Sequence, residues 1–312
     1  MSRWALGIDT SNYRTSCALF DPESGQYRNI GELLPVPQGT LGLRQSDALF
    51  QHVRKLPELM ERLCSGDCGN IGAVGVSDRP RRQEGSYMPC FLAGLSAARS
   101  TAAALGVPIC FFSHQEGHIA SALFSAGCLH WAEAPFLSWH LSGGTTELLL
   151  SEPAGHGRFN VRIIGGTKDI SAGQLIDRTG VALGLPFPAG PHLEKLAETS
   201  DNTAYSRVRA DGLYFSLSGV ENQFHAAISQ GQAPPDTARF TLNTVAQTVL
   251  RITQAARKQY GLPVLLSGGV SASVFVRRLL PESPDIRFAS LELGGDNAVG
   301  PALLAALQGG ML

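Results

Sequence analysis

This chain carries little charge and almost no imbalance of it. Charged residues fill 16% of its 312 positions, and the formal net charge is −1. A protein that grips nucleic acid alone usually shows a strong basic excess, so RNA contact here would need a local patch or a partner subunit. Long apolar runs are also missing. No stretch reaches the roughly 18 residues that a membrane-spanning helix needs. The segment Met1 to Asp9 shows no charged lead, apolar core and small-residue cleavage site in series, so no secretory leader is expected. The six cysteines (Cys17, Cys64, Cys68, Cys90, Cys110, Cys128) contain no C-x-x-C, and no second pair completes a four-ligand metal set with Cys64 and Cys68. Free thiols in a reducing cytoplasm are the expectation.

What is abundant is apolar residues, at 44%, and glycine, at 35. The first excludes a disordered or fibrous class. The second predicts many tight turns and close backbone approaches. The length suffices for two domains of ordinary size.

Ala5–Asp9 reads as a strand, followed by the polar turn Thr10–Thr15 and a second strand, Ser16–Phe20. The pattern recurs at Phe136–Leu141, the turn Ser142–Thr146, and Glu147–Leu150. One such hairpin in each half predicts an internal duplication. Between them, Ala73–Val76, the alanine-rich helix Phe91–Leu105 and Ile109–Phe112 alternate as strand, helix and strand, the order of a parallel sheet with a crossover. Asp169 is placed as the cap of a helix running to about Leu183. A long helix is expected over Thr237–Tyr260 and a strand over Pro263–Leu266, then a helix from Ser271. A last helix, Asn297 to about Leu307, opens at Asp296.

Three turns follow strands, at Asp9–Thr15, Ser142–Thr146 and Ser267–Val270. Each leaves backbone N–H groups for a phosphate or other anion, or is simply a tight turn. In the first, Asp9, Ser11 and Thr15 are the candidate phosphate contacts. Two hairpins plus a later strand-Gly-Gly-helix resemble the layout of the actin, Hsp70 and sugar-kinase ATPases. That likeness implies a duplicated α/β fold of two lobes with a nucleotide in the cleft between them. The expected division is residues 1–108, with 297–312 packing back on them, and residues 109–296.

His114-Gln115-Glu116-Gly117-His118 places two imidazoles at i and i+4, on one helix face, where both can reach a metal or pack as ordinary histidines. A zinc protease needs its glutamate directly after the first histidine, and Gln115 stands there.

The segment Phe112–Ile119 resembles the metal-binding stretch of the tRNA N6-threonylcarbamoyladenosine synthase transferase family, formerly called O-sialoglycoprotein endopeptidases. Further motifs of that family follow in order: Leu141-Ser142-Gly143-Gly144-Thr145-Thr146, Gly166-Thr167-Lys168-Asp169-Ile170, Asp177-Arg178, Leu183–Pro191, Phe215–Gly219, Leu266–Ala272 and Asp296-Asn297-Ala298. The likeness covers essentially the whole chain. It implies one divalent metal, Fe²⁺ or Zn²⁺, on His114, His118 and Asp296. It implies substrate contacts at His140, Leu141, Ser142, Gly143, Gly144, Asp177, Gly190 and Ser273. The implied reaction moves threonylcarbamoyl from threonylcarbamoyl-AMP to the N6 amine of the tRNA adenosine beside the anticodon. Implied partners are tRNA, a homologous dimerising subunit and a helper ATPase. No general base stands out.

The sequence also departs from the family. Tyr13 and Arg14 replace an acidic pair, Thr145 replaces His or Asn, Ser273 replaces Asn, and Gln174 stands where Glu or Asn is common. Leu41–His52 does not match the usual Pro-Glu-Leu-Ala-Ser-Arg stretch, and Ser77–Arg82 replaces a Gly-Pro-Gly loop with three arginines, which form either an anion clamp or a solvated loop. These changes describe a divergent paralogue. They keep open a carbamoyltransferase for another acceptor and a non-catalytic nucleotide-binding scaffold.

Overall fold

A computed structural model describes residues 3–36, 43–65, 70–155, 157–295 and 297–311. Asp296, the third expected metal ligand, lies outside the described residues, as do Cys68, Leu41 and Gly42. The chain divides into two compact units, one of residues 1–133, 152–160 and 293–312, the other of 134–151 and 161–292.

The first unit is built on β1 (Arg3–Ser11), β2 (Arg14–Phe20), β3 (Tyr27–Leu33), α1 (Gln45–Leu63), β4 (Asn70–Arg79), α2 (Phe91–Leu105), β5 (Ile109–Ser113) and α3 (His114–Ser125). Its sheet runs β3-β2-β1-β4-β5, antiparallel across the first three strands and parallel from β1 through β5. Side chains alternate across a strand, and this alternation decides what each face can hold. Leu6, Ile8, Val74 and Val76 form one core with Leu56 and Leu59 of α1 and Ala98 of α2. Gly7 and Gly75 point to the opposite face.

The second unit contains β6 (Phe136–Leu141), β7 (Thr146–Pro153), β8 (Phe159–Thr167), α4 (Ala172–Ala182), α5 (Gly190–Ala197), β9 (Ala210–Asp211), β10 (Tyr214–Phe215), α6 (Ser218–Ser229), α7 (Pro234–Tyr260), β11 (Val264–Ser267), α8 (Val274–Leu279) and β12 (Ile286–Phe288). β7 and β8 begin or end in residues of the first unit. The strand order is β12-β11-β6-β7-β8-β10-β9. β6–β7 is antiparallel, while β6, β11 and β12 run parallel. Read from β8 to β12, this repeats the order of the first sheet, which is the duplication expected from the two hairpins. The buried core joins Leu137, Trp139 and Leu141 of β6 to Leu242, Val245, Val249 and Ile252 of α7. Trp139 keeps its indole N–H satisfied by donating to Thr253 Oγ1 at 2.8 Å.

The last helix, α9 (Val299–Gln308), returns to the first unit. It lies on the glycine face of that sheet. A Cβ at Gly7 would strike the Ala298 carbonyl, one at Gly75 the Pro301 carbonyl, and one at Gly300 the Gly117 carbonyl of α3. The boundary at 108/109 therefore moves. β5 completes the first sheet and α3 packs on α9, so residues 109–133 fold with the first unit.

Two helix starts also shift. Asp169 does not cap α4. Ser171 does, with Gln174 closing a reciprocal capping box. Asp169 instead accepts bonds from the Leu217 amide at 2.8 Å and the Ser218 hydroxyl at 2.6 Å, fixing the start of α6. The helix expected from Ser271 begins at Val274, after a 3₁₀ turn over Gly269–Ala272.

Candidate functional site

In the first unit, the short turn from β5 into α3 places both histidines. Ser113 is the N-cap, accepting from the Glu116 amide, while Glu116 Oε2 accepts from the Ser113 amide at 2.7 Å and hydroxyl at 2.8 Å. Arg82 Nε adds an ion pair to the same oxygen at 2.9 Å, and the Phe159 amide approaches Oε1 at 3.4 Å. Glu116 is 1% exposed. Its carboxylate is thus committed to holding the helix start and is not a free base.

With α3 so fixed, the Nε2 atoms of His114 and His118 lie 2.9 Å apart. His114 Nδ1 meets Asp9 Oδ2 at 2.8 Å. Asp9 is buried at the end of β1 on the face shared with Gly7. It also accepts from the Ser11 amide at 3.0 Å and from the Ser77 hydroxyl. A carboxylate that accepts a hydrogen bond from Nδ1–H keeps the proton on Nδ1 and the lone pair on Nε2, the tautomer a metal ligand requires. The donor chemistry therefore fits a divalent ion of the zinc or ferrous type. Among the described residues no cluster of three histidine, cysteine, aspartate or glutamate side chains forms.

The expected phosphate turn is split between the two faces of its sheet. Asp9 and Ser11 are on the α9 side. Thr15 pairs with Thr10 and faces α1, where its hydroxyl meets His52 Nδ1 at 2.8 Å. His52 is fully buried. Burial lowers its pKa to about 4, against a smaller opposing pull from Asp9. Asp9 and Thr15 are therefore not joint contacts of one anion. Arg14 donates to the Gly31 carbonyl at 3.1 Å, lying along β3. The arginine-rich loop is not an open clamp either: Arg82 is held by Glu116, and Arg79 pairs with Asp78 at 2.9 Å. Burial pushes the Cys17 thiol up to about 12 and Cys90 up to about 11, which excludes both as thiolate nucleophiles at neutral pH.

In the second unit, a cavity of about 430 Å³ opens among α4, α5, α7 and the 3₁₀ turn. Four of the expected substrate positions line it: Gly143, Asp177, Gly190 and Ser273. His140, Leu141, Ser142 and Gly144 do not. The Leu141 side chain is core, and the Ser142 amide is closed on the Thr145 carbonyl at 2.8 Å. The open donors of this turn, among the described residues, are the Gly143 and Gly144 amides. The Ser171 hydroxyl holds the turn by donating to the Gly143 carbonyl at 2.6 Å. Asp177 spends Oδ1 on the Ala189 amide at 2.8 Å. The Ser273 hydroxyl and Glu194 Oε1 are buried without a protein partner. Sequence reading missed Glu194. Its only signal was a place one helical turn after Gly190.

The two sheets with their repeated strand order define an actin-like ATPase fold. Over all of this chain it resembles full-length HypF in its phosphate- and nucleotide-bound form (TM-score 0.60, 15% identity), of which it spans 56%. It also resembles a ROK family protein from Streptococcus pneumoniae in complex with sucrose (TM-score 0.55, 11% identity, all of both chains). The model of the tRNA N6-adenosine threonylcarbamoyltransferase family, TsaD, matches residues 45–303. A tRNA N6-adenosine threonylcarbamoyltransferase of Halalkalibacterium halodurans is 30% identical, over 94% of this chain and 87% of that one. The chain belongs to the TsaD family of transferases.

Proposed function

We propose that this protein transfers a threonylcarbamoyl group from threonylcarbamoyl-AMP to the N6 amine of the adenosine beside the anticodon in tRNA. The observation that carries the reading is the His114–His118 pair, with Nε2 atoms 2.9 Å apart and Nδ1 of His114 tied to Asp9, in a chain of this family. His114 and His118, with Asp296 as third ligand, would hold Fe²⁺ or Zn²⁺. Such an ion supplies Lewis-acid polarisation and a template for the donor.

The rest of the work falls to the chain itself. The cavity takes the adenylate. Asp177 and Glu194 present carboxylate oxygens suited to ribose hydroxyls, and the Ser273 hydroxyl gains a partner on binding. The Gly143 and Gly144 amides suit a phosphate or carbamoyl oxygen and would hold the acyl phosphate in one orientation. The N6 amine attacks the carbamoyl carbon, a C–N bond forms, the C–O bond to phosphate breaks, and AMP leaves while the amine gives up its proton. A cytoplasmic setting suits a tRNA acceptor, and no helix of the described residues is long and apolar enough to cross a membrane. A homologous dimerising subunit and a helper ATPase fit the same reading.

Tyr13 and Arg14 in place of acidic residues favour a second reading, the same donor with another carbamoyl acceptor. Mass analysis of anticodon-loop nucleosides separates the two. The purified protein, with and without its candidate partners, is incubated with tRNA and threonylcarbamoyl-AMP. The tRNA reading requires the modified adenosine with wild type and none with His114→Ala. Donor consumption without modified tRNA would favour the second reading.

A further inference from the structure

The second unit holds another concave surface, away from the residues that line the adenylate cavity. Between α7 and the segment 205–212 lie two depressions, of about 250 and 450 Å³, which share Arg207, Val208 and Arg251 in their linings. Val208 is buried and anchors the segment. Arg207 and Arg209, on either side of it, are exposed. Arg251, on α7, is fixed by donating to the Val208 carbonyl at 2.5 Å. Among the described residues no carboxylate lies within ion-pair distance of any of the three. The nearest acid in sequence, Asp211, is taken by Lys168 at 3.0 Å. Tyr205, 48% exposed, stands at one end of the groove, and Gln247 and Gln254 add uncharged polar groups along α7.

We infer that this groove is an RNA-docking surface, in which Arg207, Arg209 and Arg251 contact successive phosphates and Tyr205 offers a stacking face. The inference rests on the tRNA reading above and locates the patch that a near-neutral chain needs. Three guanidiniums with no carboxylate partner among the described residues, two on the segment 205–212 and one on α7, face one groove and make a local cationic patch in a protein of net charge −1. Arginine presents its donors as a planar fork that fits phosphate oxygens. An exposed tyrosine beside such a row is the arrangement that takes an unpaired base. An acidic peptide would satisfy the charges and leave the tyrosine without use.

The test uses the full chain and an unmodified tRNA transcript with adenosine beside the anticodon. Binding is measured by fluorescence anisotropy across a salt series for wild type, Arg207→Glu/Arg209→Glu and the milder Arg207→Gln/Arg209→Gln. Calorimetric AMP binding reports on the separate cavity, and far-UV circular dichroism reports folding. The expected result is a loss of tRNA affinity of roughly tenfold or more in the Glu variant. The salt slope should fall by about 2 in both variants, near one for each phosphate contact removed, with AMP binding unchanged. Wild-type affinity and salt slope in the folded variants would overturn the surface, as would wild type that binds polyglutamate but not tRNA. Failure of the parent reading looks different: wild type binds tRNA through this groove but leaves its adenosine unmodified.

Discussion

Asp9 Oδ2 and His114 Nδ1 meet at 2.8 Å across 105 positions of sequence. The contact exists because β1 and β5 flank β4 in one sheet, so the end of β1 faces the start of α3. The carboxylate is 1% exposed and has three donors around it. Asp9→Asn keeps the volume but offers His114 a neutral amide, which no longer fixes the Nδ1 proton. Metal affinity should fall by about 10- to 100-fold, read by competition titration with a zinc chelator. Unchanged affinity in a folded variant would remove Asp9 from the site.

Arg82 and Glu116 make the second relationship that steadies the same helix. Glu116 is buried, whereas the Arg82 side chain is 31% exposed, so solvent partly screens the pair. Arg82→Ala should cost about 1–3 kcal/mol by denaturant unfolding, below the range for a fully buried pair. Most of that cost is the uncompensated charge on Glu116. In a Glu116→Gln background the same arginine deletion should therefore cost much less. Equal costs in both backgrounds would show that Arg82 acts through its other bond, to the Phe111 carbonyl at 2.6 Å.

How far the sequence speaks for itself differs from element to element. Phe91–Leu105 is a helix at the expected limits because alanine-rich sequence ends in Gly106, whose φ of 67° stops it. The helix Gln45–Leu63 was missed, although Ala48, His52, Leu56, Leu59 and Leu63 are its buried stripe. Pro57 sits inside it, and a proline in a helical pattern reads as a break. The paired histidines were legible because i and i+4 is a local relationship. Asp9 as their support was not, since a contact between β1 and α3 needs the sheet order first. The same holds for Thr15, which a linear turn groups with Asp9 and a pleated strand turns to the other face.

Two glycines beside the cavity among α4, α5 and α7 should behave differently. A Cβ at Gly173 would lie 2.5 Å from the Gly143 Cα and the Ser142 carbonyl oxygen, both backbone atoms. A Cβ at Gly190 meets only Ile176 Cγ2, at 3.8 Å, and projects where the cavity is open. Gly173→Ala should displace the Ser142–Thr145 turn, costing about 1–3 kcal/mol and weakening AMP binding. Gly190→Ala should leave the unfolding midpoint within about 0.5 kcal/mol of wild type and weaken AMP binding all the same. Calorimetric titration and thermal unfolding of the pair separate the roles. Normal AMP affinity in Gly190→Ala would take the adenylate out of this cavity.

His52 gives the fold a pH dependence of known sign. Its pKa falls from 6.5 to about 4, mainly through burial, with Asp9 opposing. Between those values the unfolded chain binds a proton that the folded chain refuses, so acid favours unfolding. The stabilisation is fully present above pH 6.5 and is lost as pH falls towards 4. Its full size is on the order of 2 kcal/mol after allowing for solvent screening. Other histidines titrate in the same window, so the wild-type curve alone does not isolate this one. His52→Asn retains a polar partner for Thr15 and removes the titration. Denaturant unfolding at pH 7.5, 6, 5 and 4.5 should show wild type losing more stability than the variant across the series. Parallel curves would mean that His52 protonates freely in the folded protein, and that the face of the sheet behind Thr15 is open to water.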